Sequence, residues 1–112
     1  MNITCDVCDE CAIARLSGSI DMSAGEQFRG AAPIEARTSD LVVDLSKVDF
    51  MDSAGLAALV LVIRGHKAAG KQCVLAAPTP IVAKILKVTA IHQLAPVEDT
   101  VDGSLRRLKG SR

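Results

Sequence analysis

A carboxylate and a hydroxyl stand side by side in Asp52-Ser53, and Ala54-Gly55-Leu56 then lead into an apolar run that reaches Ile63. A serine at the first turn of a helix, next to a loop, is exposed and lies beside backbone N–H groups with no partner inside the helix. Such a hydroxyl can accept a phosphoryl group, which adds roughly −1.5 to −2 charges near neutral pH. The helix end holds that charge without unfolding. A partner docked on this loop would meet it together with the charge of Asp52. The plainer reading makes Ser53 a simple N-cap. Gly55 permits close approach of the partner or the loop, or is an ordinary helix-start glycine. Asp21 either lines the same surface as Ser53 or caps a helix beginning near Ser23.

Other groups with chemical potential lead elsewhere. Cys5, Cys8 and Cys11 are separated by two residues each, a spacing that raises a metal site as a question. On a hairpin, Cys8 and Cys11 flank Asp9-Glu10 while Cys5 lies farther down one strand, so the thiolates do not converge. No fourth ligand is near in sequence, and no metal is expected. Cys73 reads as a core position on a strand. Small buried cysteines are the default, with thiol-based regulation as the alternative, and a reducing cytosol argues against a structural disulfide. The segment Gly65-His66-Lys67-Ala68-Ala69-Gly70-Lys71 matches a phosphate-binding loop up to its lysine. Gln72 then replaces the hydroxyl residue that would hold magnesium. A helix precedes that segment and a strand follows it, the reverse of the required order, so no nucleotide or other cofactor is expected. His66 lies more than three turns of helix beyond Ser53 and His92 falls in a loop, so neither is expected to serve it as a base. Met51-Asp52-Ser53-Ala54-Gly55 also lacks the first glycine of a nucleophile elbow. Both histidines read as surface residues, and the chain reads as no enzyme.

The elements that would position Ser53 follow from hydrophobic patterning. Ile3 to Cys8 and Cys11 to Ser17 are strand-like runs around a polar pair, a hairpin that Gly18 closes. Ser23-Ala24-Gly25-Glu26 has capping-box spacing for a helix that Pro33 ends. Leu41-Val42-Val43-Asp44-Leu45 reads as a strand covered on both faces. Ser53 to Ala69 is the main helix, apolar all round from Leu56 to Ile63 and ending near Gly70. Cys73 to Ala76 is a further strand. Thr79-Pro80 supplies an N-cap and a first-turn proline for a helix with Ile81, Val82, Ile85 and Leu86 on one side. An extended piece around Leu94 to Val97 leads to a last helix that opens acidic at Glu98, Asp99 and Asp102. That helix carries Val101, Leu105 and Leu108 on one face and closes basic before Gly110. Alternation of strand and helix after a hairpin predicts an α/β sheet with parallel crossovers and one antiparallel corner.

Bulk properties fit this reading. A chain of 112 residues has room for one domain, 1–112. Its 49% hydrophobic content supports a core, and with two Phe and no Tyr or Trp that core is aliphatic. Thirteen basic residues balance thirteen acidic ones, so the field that nucleic-acid binding needs is missing. The early acidic residues argue against a secretory signal, and the apolar run at Leu56–Ile63 is too short for a bilayer. No membrane association and a cytoplasmic location are expected.

The segment Val42-Val43-Asp44-Leu45-Ser46-Lys47-Val48-Asp49-Phe50-Met51-Asp52-Ser53-Ala54-Gly55-Leu56 resembles the signature of STAS domains in bacterial anti-sigma factor antagonists. In that signature a buried strand and a loop lead to Asp-Ser-x-Gly-Leu at a helix start. Gly18-Ser19-Ile20-Asp21 is similar to the family's Gly-Glu-Leu-Asp element. Gly70, Pro78-x-Pro80 and Pro96-Val97 fall where the family places them. The resemblance implies a STAS-like mixed sheet of about four to five strands flanked by about four helices. It implies that Ser53 is phosphorylated by the partner, an anti-sigma factor that is also a serine kinase, and that a serine phosphatase reverses this. The unphosphorylated form would bind the anti-sigma factor and so regulate transcription by partner switching. Asp21, Asp52, Ser53, Ala54, Gly55 and Leu56 are the expected contact residues. Ala54 departs from the Ser or Thr that many members carry. Asp-Ser-Ala-Gly-Leu-Ala also occurs in STAS subunits of lipid-transport ABC complexes, which stand as the alternative together with a thiol-modulated antagonist.

Overall fold

The computed structural model describes residues 2–8, 11–22 and 39–110. Strands β1 (Asn2–Cys8) and β2 (Cys11–Ile20) pair antiparallel, with Cys8 opposite Cys11. β2 pairs in parallel with β3 (Asp40–Met51), β3 with β4 (Cys73–Ala76), and β4 with the short β5 (Val97–Glu98). The five strands therefore lie side by side in chain order. Helix α1 (Ser53–Ala68) connects β3 to β4. Helix α2 (Pro80–Val88) and a 3-10 turn (Ile91–Gln93) connect β4 to β5, and α3 (Val101–Gly110) follows. This is the expected mixed α/β sheet with its antiparallel corner. Three α-helices are present among the described residues; the helix expected from Ser23 lies outside them.

Period-two alternation sorts the strand residues between the two faces of the sheet. Ala12, Ala14, Leu16, Leu41, Val43, Leu45, Cys73 and Leu75 pack with Ala58, Leu59 and Ile63 of α1 and with Val82 and Leu86 of α2. On the other face Cys11, Ile13, Val42, Val74 and Ala76 pack with Leu108 of α3, flanked by Val101 and Leu105. The central strands are thus apolar on both sides, which is why Leu41-Val42-Val43 shows no alternation. Each Val, Leu or Ile among them that leaves water contributes on the order of 1.5–3 kcal/mol. Polar groups inside the sheet are paired. Asp44 accepts from Arg15 at 3.1 Å and from the Ser46 N–H at 3.0 Å, and Arg15 also reaches Asp6 at 3.0 Å. Asp40 is buried and accepts from the Gln72 N–H at 2.8 Å, which joins the start of β3 to the approach to β4.

Several elements differ from expectation. β2 passes through Gly18, which takes a φ of +84°, and its register with β3 shifts between Gly18 and Ser19. The strand thus continues past the glycine, and the extra residue at this irregularity, Asp49, is on β3, between the partners of Gly18 and Ser19. β3 runs on to Met51, so no loop precedes α1; beyond Asp44 it has left β4 behind and pairs with β2 alone. That one-sided exposure suits the polar Ser46, Lys47 and Asp49. Leu61 is 71% exposed on α1 and Ile81 is 57% exposed on α2, so neither belongs to its helix's buried face. Of the Leu94–Val97 region only Val97 is strand, and the strand runs on to Glu98. Glu98 and Asp99 precede α3, which leaves Asp102 as the acidic residue of its first turn, and Glu98 accepts from Arg107 at 3.0 Å. α3 also includes Gly110. His66 is 5% exposed, with its Nδ1 2.9 Å from the Val62 carbonyl oxygen. The expectation of a surface histidine is therefore wrong for His66, which falls on the same helical face as Leu59 and Ile63; His92 is exposed as expected.

Candidate functional site

Ser53 stands where the C-terminal ends of β2 and β3 meet the first turn of α1. Ile20 and Met51 are opposite one another at the ends of their strands, and both are buried. The Asp52 N–H then donates to the Ile20 carbonyl at 3.1 Å, so the strand ladder continues to the residue before the helix. Asp52 has extended backbone angles, φ −87° and ψ −179°, and its side chain accepts from the Gly55 N–H at 2.8 Å. Its carbonyl receives the Leu56 N–H at 2.9 Å. These are the two bonds of an N-cap residue.

Asp52 is therefore the cap, and Ser53 is the first residue of the helix proper. The simple N-cap reading of Ser53 does not hold. Its side chain is exposed, and among the described residues no hydrogen bond engages its hydroxyl. The first turn of α1 contains no acidic residue, and Asp52 just outside it offsets the positive end of the helix dipole. An added anion on Ser53 would sit next to that end.

The other expected contact residues divide by exposure. Asp21 and Ala54 are exposed and Asp52 is partly so. Asp21 follows directly on Ile20, whose carbonyl is bonded to Asp52, which places it at the border of the Ser53 surface. Gly55 is buried: a Cβ built on it would fall on the Ile20 carbonyl oxygen and lie 2.6 Å from the carbonyl carbon. The close approach at Gly55 is that of the end of β2, not of a loop or a partner. Leu56 is half-buried against the α1–α2 face of the core. Both residues position the surface from beneath.

Three features of this region were not singled out in the sequence. Met22 is 83% exposed and Phe50 is 50% exposed, one residue after Asp21 and two before Asp52 respectively. A large apolar residue beside charged ones at a strand end is the available signal. Thr79 makes no side-chain cap for α2; its hydroxyl donates at 2.9 Å to the Val48 carbonyl. That bond ties the start of α2 to the outer part of β3. No sequence pattern announces it, because the two residues are far apart in the chain.

The remaining candidates lie away from Ser53. Gly65 to Lys71 forms the end of α1 and the turn after it, with Gly70 at a φ of +73°. Cys5 packs toward the α1–α2 face, whereas Cys11 packs on the α3 face. Burial pushes the Cys73 thiol up to about 12. Burial, with Asp6 as a lesser cause, also raises Cys5. No described helix is long and apolar enough to cross a membrane.

The family model described as the STAS domain matches residues 2–104. Among curated relatives, BtrV of Bordetella bronchiseptica carries the name of a putative anti-sigma factor antagonist. It is 26% identical over 97% of this chain and 96% of its own length. Among solved structures, an anti-sigma factor antagonist from Mycobacterium paratuberculosis superposes with a TM-score of 0.84 at 24% identity, covering 96% of this chain and 93% of the other. The unphosphorylated form of SpoIIAA, an anti-sigma factor antagonist, gives 0.79 at 21% identity with 97% of both chains covered. Its phosphorylated form, described as a Bacillus cell fate determinant, gives 0.71 at 21%, with 95% and 98% covered. At these identities the solved structures establish the fold.

Proposed function

This chain belongs to the STAS domain family, and from that premise we propose that it is an anti-sigma factor antagonist, a transcriptional regulator switched by phosphorylation of Ser53. The whole chain serves as one STAS domain in the cytoplasm and works by binding rather than catalysis. Its partner is an anti-sigma factor that doubles as the serine kinase, and a separate serine phosphatase resets it.

The observation that carries this reading is the division of labour between Asp52 and Ser53. The carboxylate caps the helix, which leaves the neighbouring hydroxyl exposed and available to a kinase. Asp21, Ser53 and Ala54 form the contact surface together with the accessible side of Asp52, while Gly55 and Leu56 hold it in place. Met22 and Phe50 add apolar area at its border. The exposed carboxylates of Asp21 and Asp49 lie in the flanking segments. A phosphate adds roughly −1.5 to −2 charges to an already acidic surface. A loss of about 3 kcal/mol at such an interface weakens binding on the order of 100-fold.

The test is titration calorimetry against a histidine-kinase-like anti-sigma factor encoded beside this protein's gene. Wild type and Ser53→Ala are expected to bind alike, and Ser53→Asp on the order of 100-fold more weakly. Incubation with the same partner and ATP is expected to place one phosphate on wild type and none on Ser53→Ala. Equal affinity of Ser53→Asp and wild type would remove the charge mechanism.

A further inference from the structure

We propose that the Phe50 ring is the anchor of the partner interface, seated in an apolar pocket of the protein that phosphorylates Ser53. The inference rests on the reading of Ser53 as the switch. It adds what holds the complex together while that switch is unmarked.

The sheet turns this ring outward. Val48 and Met51 both pack in the core beneath α1 and α2. Strict alternation from Val48 would send Phe50 inward and Met51 outward. The extra residue Asp49, between the partners of Gly18 and Ser19, reverses that assignment, and Met51 is 2% exposed while Phe50 is 50% exposed. Re-aiming a side chain is a recurrent use of such an irregularity.

The adjoining strands give the ring little cover. Its register partner on β2 is the small Ser19, and the residue before that is Gly18. On the other side the β3–β4 ladder ends at Asp44, well short of Phe50. The whole chain has two Phe and no Tyr or Trp, so one of its two rings is held half in water. Scattered exposed aliphatic residues such as Val88 need no explanation. A ring with half its surface open still offers roughly 100 Å² of rigid apolar area. Aromatic residues are enriched at interface cores, and a few well-seated anchors carry most of the binding energy.

Phe50 is also in the right place. It precedes the cap residue Asp52 by two positions and Ser53 by three, on a strand that runs directly into α1. A pocket that holds the ring brings the rest of the partner within reach of the Ser53 hydroxyl. The ring carries no charge, so affinity and switching have separate sources: Phe50 supplies attraction, and phosphate on Ser53 supplies the repulsion that overrides it.

The experiment uses the full chain and the anti-sigma factor encoded beside its gene. By calorimetry Phe50→Ala should bind on the order of 30-fold more weakly than wild type, and Val88→Ala should bind as wild type does. With ATP present, Phe50→Ala should raise KM for phosphorylation of Ser53 and leave kcat unchanged. A merely structural role, in which the substitution displaces Ser53, would lower kcat instead. Phe50→Trp gives the chain its one indole, whose emission should shift to shorter wavelength when the partner is added. Undiminished binding of Phe50→Ala, a lower kcat at unchanged KM, or an unshifted emission in a formed complex would each overturn the anchor while the Ser53 reading stands. Failure of the wild-type chain to bind or to be phosphorylated would overturn both.

Discussion

Ile20 and Gly55 meet backbone to backbone: the Ile20 carbonyl occupies the space into which a Cβ would project from Gly55. The same carbonyl accepts the Asp52 N–H at 3.1 Å. One oxygen at the end of β2 therefore fixes both the residue before Ser53 and the residue two beyond it.

Gly55→Ala should accordingly be costly. The obstacle is backbone on both sides, and neither side can yield as a flexible side chain would. A loss of about 1–3 kcal/mol is expected, read as a lower urea midpoint with an unchanged slope. Partner binding should fall as well, because separating β2 from α1 displaces Asp52 and Ser53 together. A variant as stable as wild type would show that the strand end can withdraw freely.

Asp52→Ala and Ser53→Ala should separate the cap from the acceptor. Loss of the Asp52 carboxylate removes the bond to the Gly55 N–H and should cost about 1 kcal/mol. Ser53→Ala removes an exposed hydroxyl and should change stability by no more than about 0.5 kcal/mol. Thermal or denaturant unfolding of the two variants checks the order. A larger loss from Ser53→Ala would reverse the assignment.

Thr79→Val should loosen the seat of α2 while its size stays nearly constant. The Val48 carbonyl loses its hydroxyl donor at 2.9 Å, and a deficit of about 1 kcal/mol is expected. Hydrogen exchange should rise in α2 more than in α3, which packs on the opposite face of the sheet. Equal changes in both helices would count against a local role for the bond.

Alkaline stability should carry the mark of Cys73. Burial holds its thiol near 12 in the folded chain against an ordinary value of 9.0. Above pH 9 the unfolded state sheds this proton while the folded state keeps it, so stability falls as pH rises toward 12. The contribution is complete below pH 9, and within the window the slope approaches about 1.4 kcal/mol per pH unit. Unfolding measured from pH 8 to 11 should show a shallower decline in Cys73→Ala than in wild type. Parallel profiles would contradict the burial argument.

Much of the fold was legible because its signals are local. The Asp52-Ser53 helix start, the apolar run after it, Pro80 at a first turn and the acidic-to-basic polarity around α3 all act within a few residues. β3 was read too short because Ser46, Lys47 and Asp49 look like loop residues; they remain strand because β2 supplies their ladder where β4 no longer reaches. His66 reads as a surface residue only because it has no catalytic role to fill, whereas its spacing from Leu59 and Ile63 places it on the buried helix face. The candidate site divides in the same way. Ser53 is announced by sequence, whereas the contact of Ile20 with Asp52 and Gly55 joins distant segments and only folding brings them together.

The unbroken passage from β3 into α1 also has a mechanical meaning. Ser53 stands on a pedestal, with a strand ladder behind it, a helix ahead and Ile20 wedged below. A group added to its oxygen has little compliance in its own scaffold to absorb the insult. The opposing surface must take the recoil, so a small covalent mark can be felt as a whole-interface rejection.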